Sequence, residues 1–200
     1  HVYTGIERTI KRAVPLSTIQ TIKSADLSMH PCLDYARDMF MFSFYTRGMS
    51  FVDMAYLRKK DLTDGILSYR RRKTKQRMSI RWERCMQEIV DKYDSSRSSF
   101  LLPIIRPDSC FEERRQYIYA SHNINHSLKA LSRRLEMDIP LTMYVARHSW
   151  ASIARSKNIP LAVISEGMGH ESESTTRIYL ASLSTNIIDE ANSMIIESLF

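Results

Sequence analysis

The stretch DGILSYRRRKTKQRMSIRW, residues 64–82, holds two strand patterns on either side of a cluster of positive charges. Asp64-Gly65 is a turn signal, and the residues that follow it, Ile66 to Tyr69, indicate a first strand. The alternation of polar and apolar residues from Arg77 to Trp82 indicates a second strand. The stretch therefore predicts a β-hairpin whose tip is formed by the basic residues 70–76.

Outside this hairpin the chain shows helical patterns and no internal repeat. Apolar residues recur at the spacing of one helix face, and turn residues separate the segments. We therefore expect a mainly α protein with one small antiparallel β-sheet, an α+β fold. The predicted helical segments are residues 16–27, 32–45, 51–57, 82–93, 112–135 (as one helix or two), 143–156, 161–166 and an amphipathic stretch over 186–200.

The composition excludes several classes of protein. Two hundred residues, of which 44% are hydrophobic, are enough for the core of one ordinary domain. Five glycines argue against a Gly-rich dinucleotide fold. There is no signal-peptide pattern and no window close to 18 unbroken apolar residues, so we expect no membrane partner. Three cysteines without a C-x-x-C pair are typical of a reducing compartment, which predicts a cytoplasmic protein.

The net charge of +7 is concentrated in one segment. Between residues 58 and 84, eleven basic residues stand against three acidic ones, so this segment carries +8 and the other 173 residues sum to −1. Such a focused patch suggests a polyanionic partner, most often nucleic acid. On charge alone, a solvated surface that serves solubility is an equally good explanation.

The densest group of reactive side chains lies in the C-terminal third. It comprises Arg147-His148, the run Gly167–His170, and Tyr179 shortly after Thr175-Thr176. Cleavage of a phosphodiester without a metal needs cations around the phosphate oxygens, a nucleophile, and a proton source for the leaving oxygen. Arg147 offers a planar fork for phosphate oxygens, and the phenol of Tyr179 is a candidate nucleophile. Lys73 at the hairpin tip is a candidate proton source.

Other constellations are weaker. His122 and His126 are four residues apart, as zinc ligands on a helix would be, but no third ligand stands at a suitable spacing. The sequence contains neither the glycine-rich loop of nucleotide triphosphatases nor the Gly-x-Ser-x-Gly elbow of hydrolases. We therefore expect no metal and no other cofactor.

Residues 146–152, 167–170 and 175–179 together resemble the C-terminal motifs of the tyrosine recombinases, the phage integrase family. There the motifs read roughly Leu-Arg-His-Thr-Phe-Ala, Leu-Gly-His and Thr-Thr-x-x-Tyr. The resemblance covers about residues 15–185, and the basic hairpin with Lys73-Thr74 falls in the family's order. It implies the DNA breaking-rejoining fold and the activity of a mobile-element integrase: site-specific DNA recombination through a 3′-phosphotyrosyl intermediate.

The resemblance also implies a role for each matching residue. Tyr179 matches the nucleophile, and Arg147 matches the second catalytic arginine, which clamps the scissile phosphate. His170 matches a phosphate donor or proton carrier. Lys73 matches the hairpin lysine that acts as general acid on the 5′-oxygen. Four further basic residues of the hairpin are expected to contact DNA phosphates: Arg70, Arg72, Lys75 and Arg77.

Two positions depart from the family pattern. Tyr144 stands where the family has a histidine, three residues before Arg147. A phenol still donates one hydrogen bond to a phosphate oxygen but does not exchange protons near pH 7. Ser50 stands where the family has its first catalytic arginine. We hypothesise that Arg47, three residues earlier, supplies the missing guanidinium.

The resemblance finally implies an organisation and a set of partners. Residues 1–185 are expected to form the catalytic domain, and residues 186–200 a helix that packs on its own domain or exchanges between protomers. The N-terminal DNA-binding domains of the family are expected to be absent from this fragment. Expected partners are double-stranded DNA recombination sites, further copies of the chain in a tetramer on synapsed DNA, and accessory DNA-bending proteins, in the nucleoid of a bacterial cytoplasm.

Two alternative functions remain open from the sequence. The first is DNA relaxation like that of type IB topoisomerases, which share the nucleophile chemistry but act as monomers. The second is a catalytically weak DNA-binding module, which the departures at Ser50 and Tyr144 suggest. The DNA target and the direction of recombination cannot be derived from basic residues alone.

Overall fold

The structure is a computed structural model that describes residues 13–93, 97–170 and 176. Two of the predicted features, the nucleophile Tyr179 and the C-terminal helix over 186–200, lie outside these residues. The described part has seven α-helices and one short 3₁₀ helix, Lys59–Asp61. The α-helices are α1 Leu16–Ser24, α2 Pro31–Tyr45, α3 Phe51–Ala55, α4 Arg84–Lys92, α5 Glu113–Arg134, α6 Met143–Ser156 and α7 Leu161–Gly167.

Helix α2 is the centre of the fold. It begins at Pro31, where the missing N–H costs nothing because the first turn of a helix leaves its N–H groups unpaired. Its apolar residues cover most of its circumference, and Met39, Phe40 and Phe42 are completely buried. Helices α4, α5 and α6 pack against it, and its span agrees with the helix predicted over residues 32–45.

The sheet has three antiparallel strands in the order β1 Leu62–Thr63, β2 Ile66–Arg70 and β3 Arg77–Arg81. Strands β2 and β3 form the predicted hairpin, with Leu67 opposite Ile80 on the buried face. Strand β1 was not predicted, because two residues give no alternation from which to predict it. The family-typical α+β architecture, helices with one small antiparallel sheet, is therefore confirmed.

Three predicted helices differ from the structure by two or three residues at one end. Helix α1 ends at Ser24 because Ala25 is extended, although Leu27 beyond it is still buried in the core. Helix α3 ends at Ala55 rather than Leu57, and helix α4 begins at Arg84 rather than Trp82. The segment from residue 112 forms one helix, α5, and not two.

Two apolar clusters hold these elements together. The larger one contains the buried side of α2 with residues of α1, α3, α5, the hairpin and the first half of α6. A small second cluster, formed by Ala151 and Ala154 of α6 with Ile164 and Met168, fixes α7 against α6. This second cluster positions the turn at residues 167–170. Within the ranges that the structure describes, every helix is too short or too polar to cross a bilayer.

Candidate active site

The turn after α2 places a backbone carbonyl at the centre of the site. The N–H of Arg47 donates to Phe44 O (3.2 Å) and that of Gly48 to Ser43 O (2.8 Å), the bonds of a Schellman helix end. Arg47 and Gly48 take left-handed φ values of 63° and 72°. A Cβ on Gly48 would lie 2.6 Å from the Cα of Arg147. Glycine therefore allows the turn to lie directly against α6.

The turn after α7 is built in the same way and presents His170. The N–H of Gly169 donates to Glu166 O (2.9 Å) and that of His170 to Ser165 O (3.0 Å), again a Schellman pattern. Gly169 has a φ of 65°, and a Cβ there would lie 2.7 Å from the sulfur of Met78 on β3. This glycine thus provides both the left-handed turn and the close approach to the hairpin.

Arg147 joins the two turns. It lies on α6 with only 7% of its surface exposed. Its Nη1 donates to Gly48 O (2.8 Å), its Nη2 to Met168 O (2.8 Å), and Nη2 lies 2.8 Å from Nε2 of His170. Both carbonyls stand at helix C-termini, where the helix dipole favours a cation. The sequence-predicted residues Arg147 and His170 are therefore in direct contact.

The contacts of His170 determine its tautomer. An arginine has no acceptor, so the Nε2 that faces Arg147 must be the nitrogen without a proton. The Nδ1–H then donates to Oγ1 of the buried Thr176, 2.7 Å away. Burial, followed by the positive charges of Arg147 and Arg71, lowers the pKa of His170 to about 4. The ring is neutral at pH 7, with its basic lone pair on Nε2.

This lowered pKa predicts a pH-dependent stability. In the unfolded chain His170 takes up a proton below about pH 6.5, whereas in the folded chain it stays neutral down to about pH 4. Stability should therefore fall as the pH drops from 6.5 to 4, by about 1–2 kcal/mol, since the ring is only half-buried. Urea unfolding at pH 7.0 and 4.5 measures the loss. Between these two pH values, His170→Gln should lose less stability than the parent. An equal loss would contradict the lowered pKa of His170.

Arg71 is part of this centre, and it was not singled out in the sequence. It is 8% exposed, donates from Nη1 to Gly169 O, and places Nε 3.9 Å from Oδ2 of Asp53. A signal was present, because the inward positions Leu67 and Tyr69 of β2 continue at every second residue to Arg71. The strand period therefore separates it from its outward-facing neighbours.

Asp53 anchors the hairpin to α3. Its buried carboxylate accepts the hydroxyl of Ser50 (2.6 Å) and the backbone N–H of Arg72 (2.7 Å). Ser50 also caps α3 by accepting the N–H of Asp53. The position where the family has an arginine is thus used here to cap a helix and to bind a carboxylate.

Arg47, the predicted replacement, is half-buried in the same region. Its Cδ would lie 3.7 Å from a Cβ on Gly167. Burial and the Asp53 carboxylate raise the pKa of Tyr69, and the charges of Arg71, Arg147 and Arg47 oppose this rise, in that order. The three guanidinium groups therefore act on one common part of the interior, with Arg47 contributing least.

The remaining predicted residues lie further out. Tyr144 is 44% exposed, and its ring packs edge-on against that of the buried His148, with centroids 4.6 Å apart. Lys73 is exposed at the hairpin tip. The four predicted DNA contacts are also exposed, and the guanidinium of one, Arg72, lies 3.7 Å from the ring centroid of Tyr56. Among the described residues, no three His, Cys, Asp or Glu side chains form a group that could hold a metal ion.

Comparison with known proteins gives one family and several related structures. Residues 14–185 match the model described as "Phage integrase family". No curated protein sequence matches the chain.

The structural matches have low sequence identity. XerH recombinase in a post-cleavage complex with its difH substrate has a TM-score of 0.67 at 16% identity, over 91% of this chain and 52% of XerH. The Tn1549 transposon integrase with circular intermediate DNA has a TM-score of 0.59 at 14% identity, over 91% of this chain and 64% of that integrase. A lambda integrase tetramer on a Holliday junction has a TM-score of 0.54 at 15% identity, over 84% of this chain and 48% of lambda integrase. At these identities the matches show the fold, and the chain spans about half to two thirds of those proteins.

Proposed function

The chain belongs to the phage integrase family, and on this premise we propose that it is the catalytic part of a tyrosine recombinase that cleaves and rejoins DNA at specific sites. The observation that carries the proposal is the contact of Arg147 with His170 at the junction of two helix ends. Such an arrangement holds a buried cation and a neutral base side by side, as cleavage of a phosphodiester requires.

The proposed reaction conserves the energy of the phosphodiester bond. When Arg147 binds the phosphate, its Nη2 releases Nε2 of His170. The phenol oxygen of Tyr179 attacks phosphorus and gives its proton to this Nε2. The bond from phosphorus to the 5′-oxygen breaks, and that oxygen takes a proton from Lys73. Arg147 stabilises the charge that develops on the non-bridging oxygens. The 3′-phosphotyrosyl bond is then attacked by a 5′-hydroxyl in the reverse sequence, so no ATP is needed.

The geometry of His170 supports the role of proton acceptor over that of phosphate donor. With its proton on Nδ1, the neutral ring has an acceptor and no donor at Nε2, so at this atom it can take a proton but cannot donate a hydrogen bond to a phosphate oxygen. Tyr144 is proposed to donate one hydrogen bond to the phosphate, and Arg47 to add positive charge. Both proposals rest on the family positions of these residues and on their location around Arg147.

The exposed basic residues of the hairpin are proposed to bind the DNA backbone and to bring Lys73 to the leaving oxygen. Exposed arginines and lysines bind phosphates without reading sequence, so they set affinity and its salt dependence. These residues are Arg70, Arg72, Lys75 and Arg77.

The related structures support a proposal about assembly. XerH is seen on its difH substrate, and lambda integrase as a tetramer on a Holliday junction. We propose that this chain likewise acts as a tetramer on paired double-stranded sites, as part of a longer mobile-element integrase with accessory DNA-bending proteins. Residues 1–185 would be the catalytic domain, and residues 186–200 would exchange between protomers. The bacterial cytoplasm, at the nucleoid, is the proposed location, and the free thiols Cys32, Cys85 and Cys110 support a reducing compartment.

Covalent capture of DNA tests the reaction and identifies the target sequence in the same experiment. The chain is incubated with a library of random duplexes, each carrying a nick so that cleavage releases a short fragment and leaves protein bound to DNA. We expect adducts that share a sequence, with DNA on the tryptic peptide that follows Arg177 and contains Tyr179. The same duplexes without a nick are the control, since religation should keep their adducts scarce.

Three other outcomes would contradict the proposal. Binding of DNA without any adduct would favour a DNA-binding module. Adducts on another tyrosine would refute the assignment of Tyr179. Relaxation of supercoiled plasmid without junctions between two captured sites would favour topoisomerase-like chemistry.

A further inference from the structure

Arg71 differs from the other basic residues of the hairpin because its side chain faces the interior. It is 8% exposed, whereas Arg70, Arg72 and Lys73 are all exposed. Burial of a guanidinium costs free energy unless its charge is paired and its N–H groups are bonded. A single inward arginine in an otherwise outward-facing basic segment therefore requires an explanation.

The protein pairs the charge of Arg71 only in part. Nη1 donates to Gly169 O, and Nε lies 3.9 Å from Oδ2 of Asp53, at the limit of an ion pair. These two contacts involve at most two of the five N–H donors of a guanidinium. The Asp53 carboxylate also accepts hydrogen bonds from Ser50 and from the backbone of Arg72. In the part of the chain that the structure describes, Asp53 is the one carboxylate paired with Arg71.

Arg71 and Arg147 meet at the same short turn. Arg71 binds the carbonyl of Gly169, and Arg147 binds that of Met168 and contacts His170. Both guanidinium groups lower the pKa of His170, which places two positive charges near one neutral ring. Together with Asp53, the two arginines carry a net charge of +1. A phosphodiester carries one negative charge and would balance it.

We infer that Arg71 is a second phosphate-binding arginine of this site, which binds the non-bridging oxygens of the scissile phosphate together with Arg147. The identity of the anion rests on the proposed function. The hairpin then supplies a group to the reaction centre as well as contacts to the DNA backbone. On this inference Arg71 makes the phosphate contact of the arginine that Ser50 replaces, and Arg47 adds only positive charge nearby. Asp53, which binds Ser50, holds Arg71 in place.

Inorganic phosphate tests the anion site without DNA. The ligand is titrated against the chain while the imidazole signals of His170 are followed by NMR. Arg71→Gln should weaken phosphate binding at this ring by about tenfold or more, the loss expected for one hydrogen bond between charged groups. Arg81→Gln, an exposed residue on β3 of the same hairpin, should bind as the parent does. Parental affinity in Arg71→Gln would overturn the inference.

A variant that keeps the charge covers the case in which Arg71→Gln does not fold. Arg71→Lys retains one positive charge but loses the planar fork, so we expect phosphate affinity between those of the parent and the glutamine variant. If a folded Arg71→Lys bound phosphate with the parental affinity, this result would also count against phosphate binding by the planar guanidinium of Arg71.

Neutral phosphate analogues separate phosphate binding from support of the fold. On captured DNA with its normal scissile phosphate, Arg71→Gln should cleave about 100-fold more slowly than the parent. On the same DNA with a methylphosphonate, which lacks the charged oxygen, the two rates should agree within about tenfold. Equal losses on both substrates would indicate a purely structural role and overturn the inference. If even the parent forms no adduct, the proposed function fails, and the phosphate titration still decides the anion site.

Discussion

Replacement of Arg147 by alanine is expected to slow formation of the covalent DNA adduct by about 10³-fold or more. A preorganised hydrogen-bond donor at a developing anion typically raises the rate 10²–10³-fold. Arg147 is buried and contacts Gly48 O, Met168 O and His170. The same change removes the donor to Gly48 O and to Met168 O. Each buried carbonyl left unbonded costs about 1–3 kcal/mol, so we also expect the free energy of unfolding to fall by about 2–6 kcal/mol.

The two effects of this substitution are separable. Arg147→Lys keeps a positive charge and can bond one of the two carbonyls, so it should recover part of the stability but little of the rate. Single-turnover adduct formation, measured at a temperature where circular dichroism shows each variant folded, gives the rate. Arg155→Ala, two turns further along α6, is the matched control and should retain parental values. A folded Arg147→Lys that cleaves at the parental rate would refute the role of the guanidinium.

Replacement of Gly48 by alanine is expected to destabilise the protein by about 3 kcal/mol. The left-handed φ of 72° costs an alanine about 1–2 kcal/mol, and the new methyl would lie 2.6 Å from the Cα of Arg147. Relief of that overlap requires a shift of α6, and overpacking of this kind costs about 1–3 kcal/mol. The shift moves Arg147 relative to the turn, so adduct formation should fall together with stability.

Gly65→Ala is a matched control for the backbone contribution. Gly65 has the same φ of 72°, but nothing lies within 4 Å of a Cβ at that position. Gly65→Ala should therefore cost only the backbone strain, about 1–2 kcal/mol. Urea unfolding of both variants measures the difference, which is the cost of close approach. Equal losses of stability in the two variants would mean that Gly48 is needed only for its left-handed backbone conformation and not for the close approach to α6.

Most of the fold was predictable because each element has a local cause. The strand alternation and the turn at Asp64-Gly65 predict the hairpin, and the structure confirms it. The stripe of apolar residues from Cys32 predicts α2, and the predicted span 143–156 is that of α6. The ends of helices were less predictable from the sequence. Leu27, for example, is buried by tertiary packing although α1 has already ended at Ser24.

The chemistry of the site was only partly predictable. Motif order indicates Arg147 and His170, and the structure brings them into contact. The protonation state of His170 depends on burial and on two arginines from distant segments, and no local pattern contains that information. Arg71 was missed because its charge is one of eleven in the basic segment, whereas its direction follows from the strand period. The roles of Tyr179, Lys73 and Arg47 stay predictions.

The contacts that complete the site join residues that are far apart in the sequence. The hydrogen bond from Arg147 to Gly48 O joins residues 99 positions apart, and that from Arg71 to Gly169 O joins residues 98 positions apart. Contacts of such long range form late, because the entropy of closing the intervening loop must first be overcome. The pairing of β2 with β3 in the basic hairpin, in contrast, joins residues at most 15 positions apart. On the proposed function, we therefore expect a partly folded chain to bind DNA before it is able to cleave it.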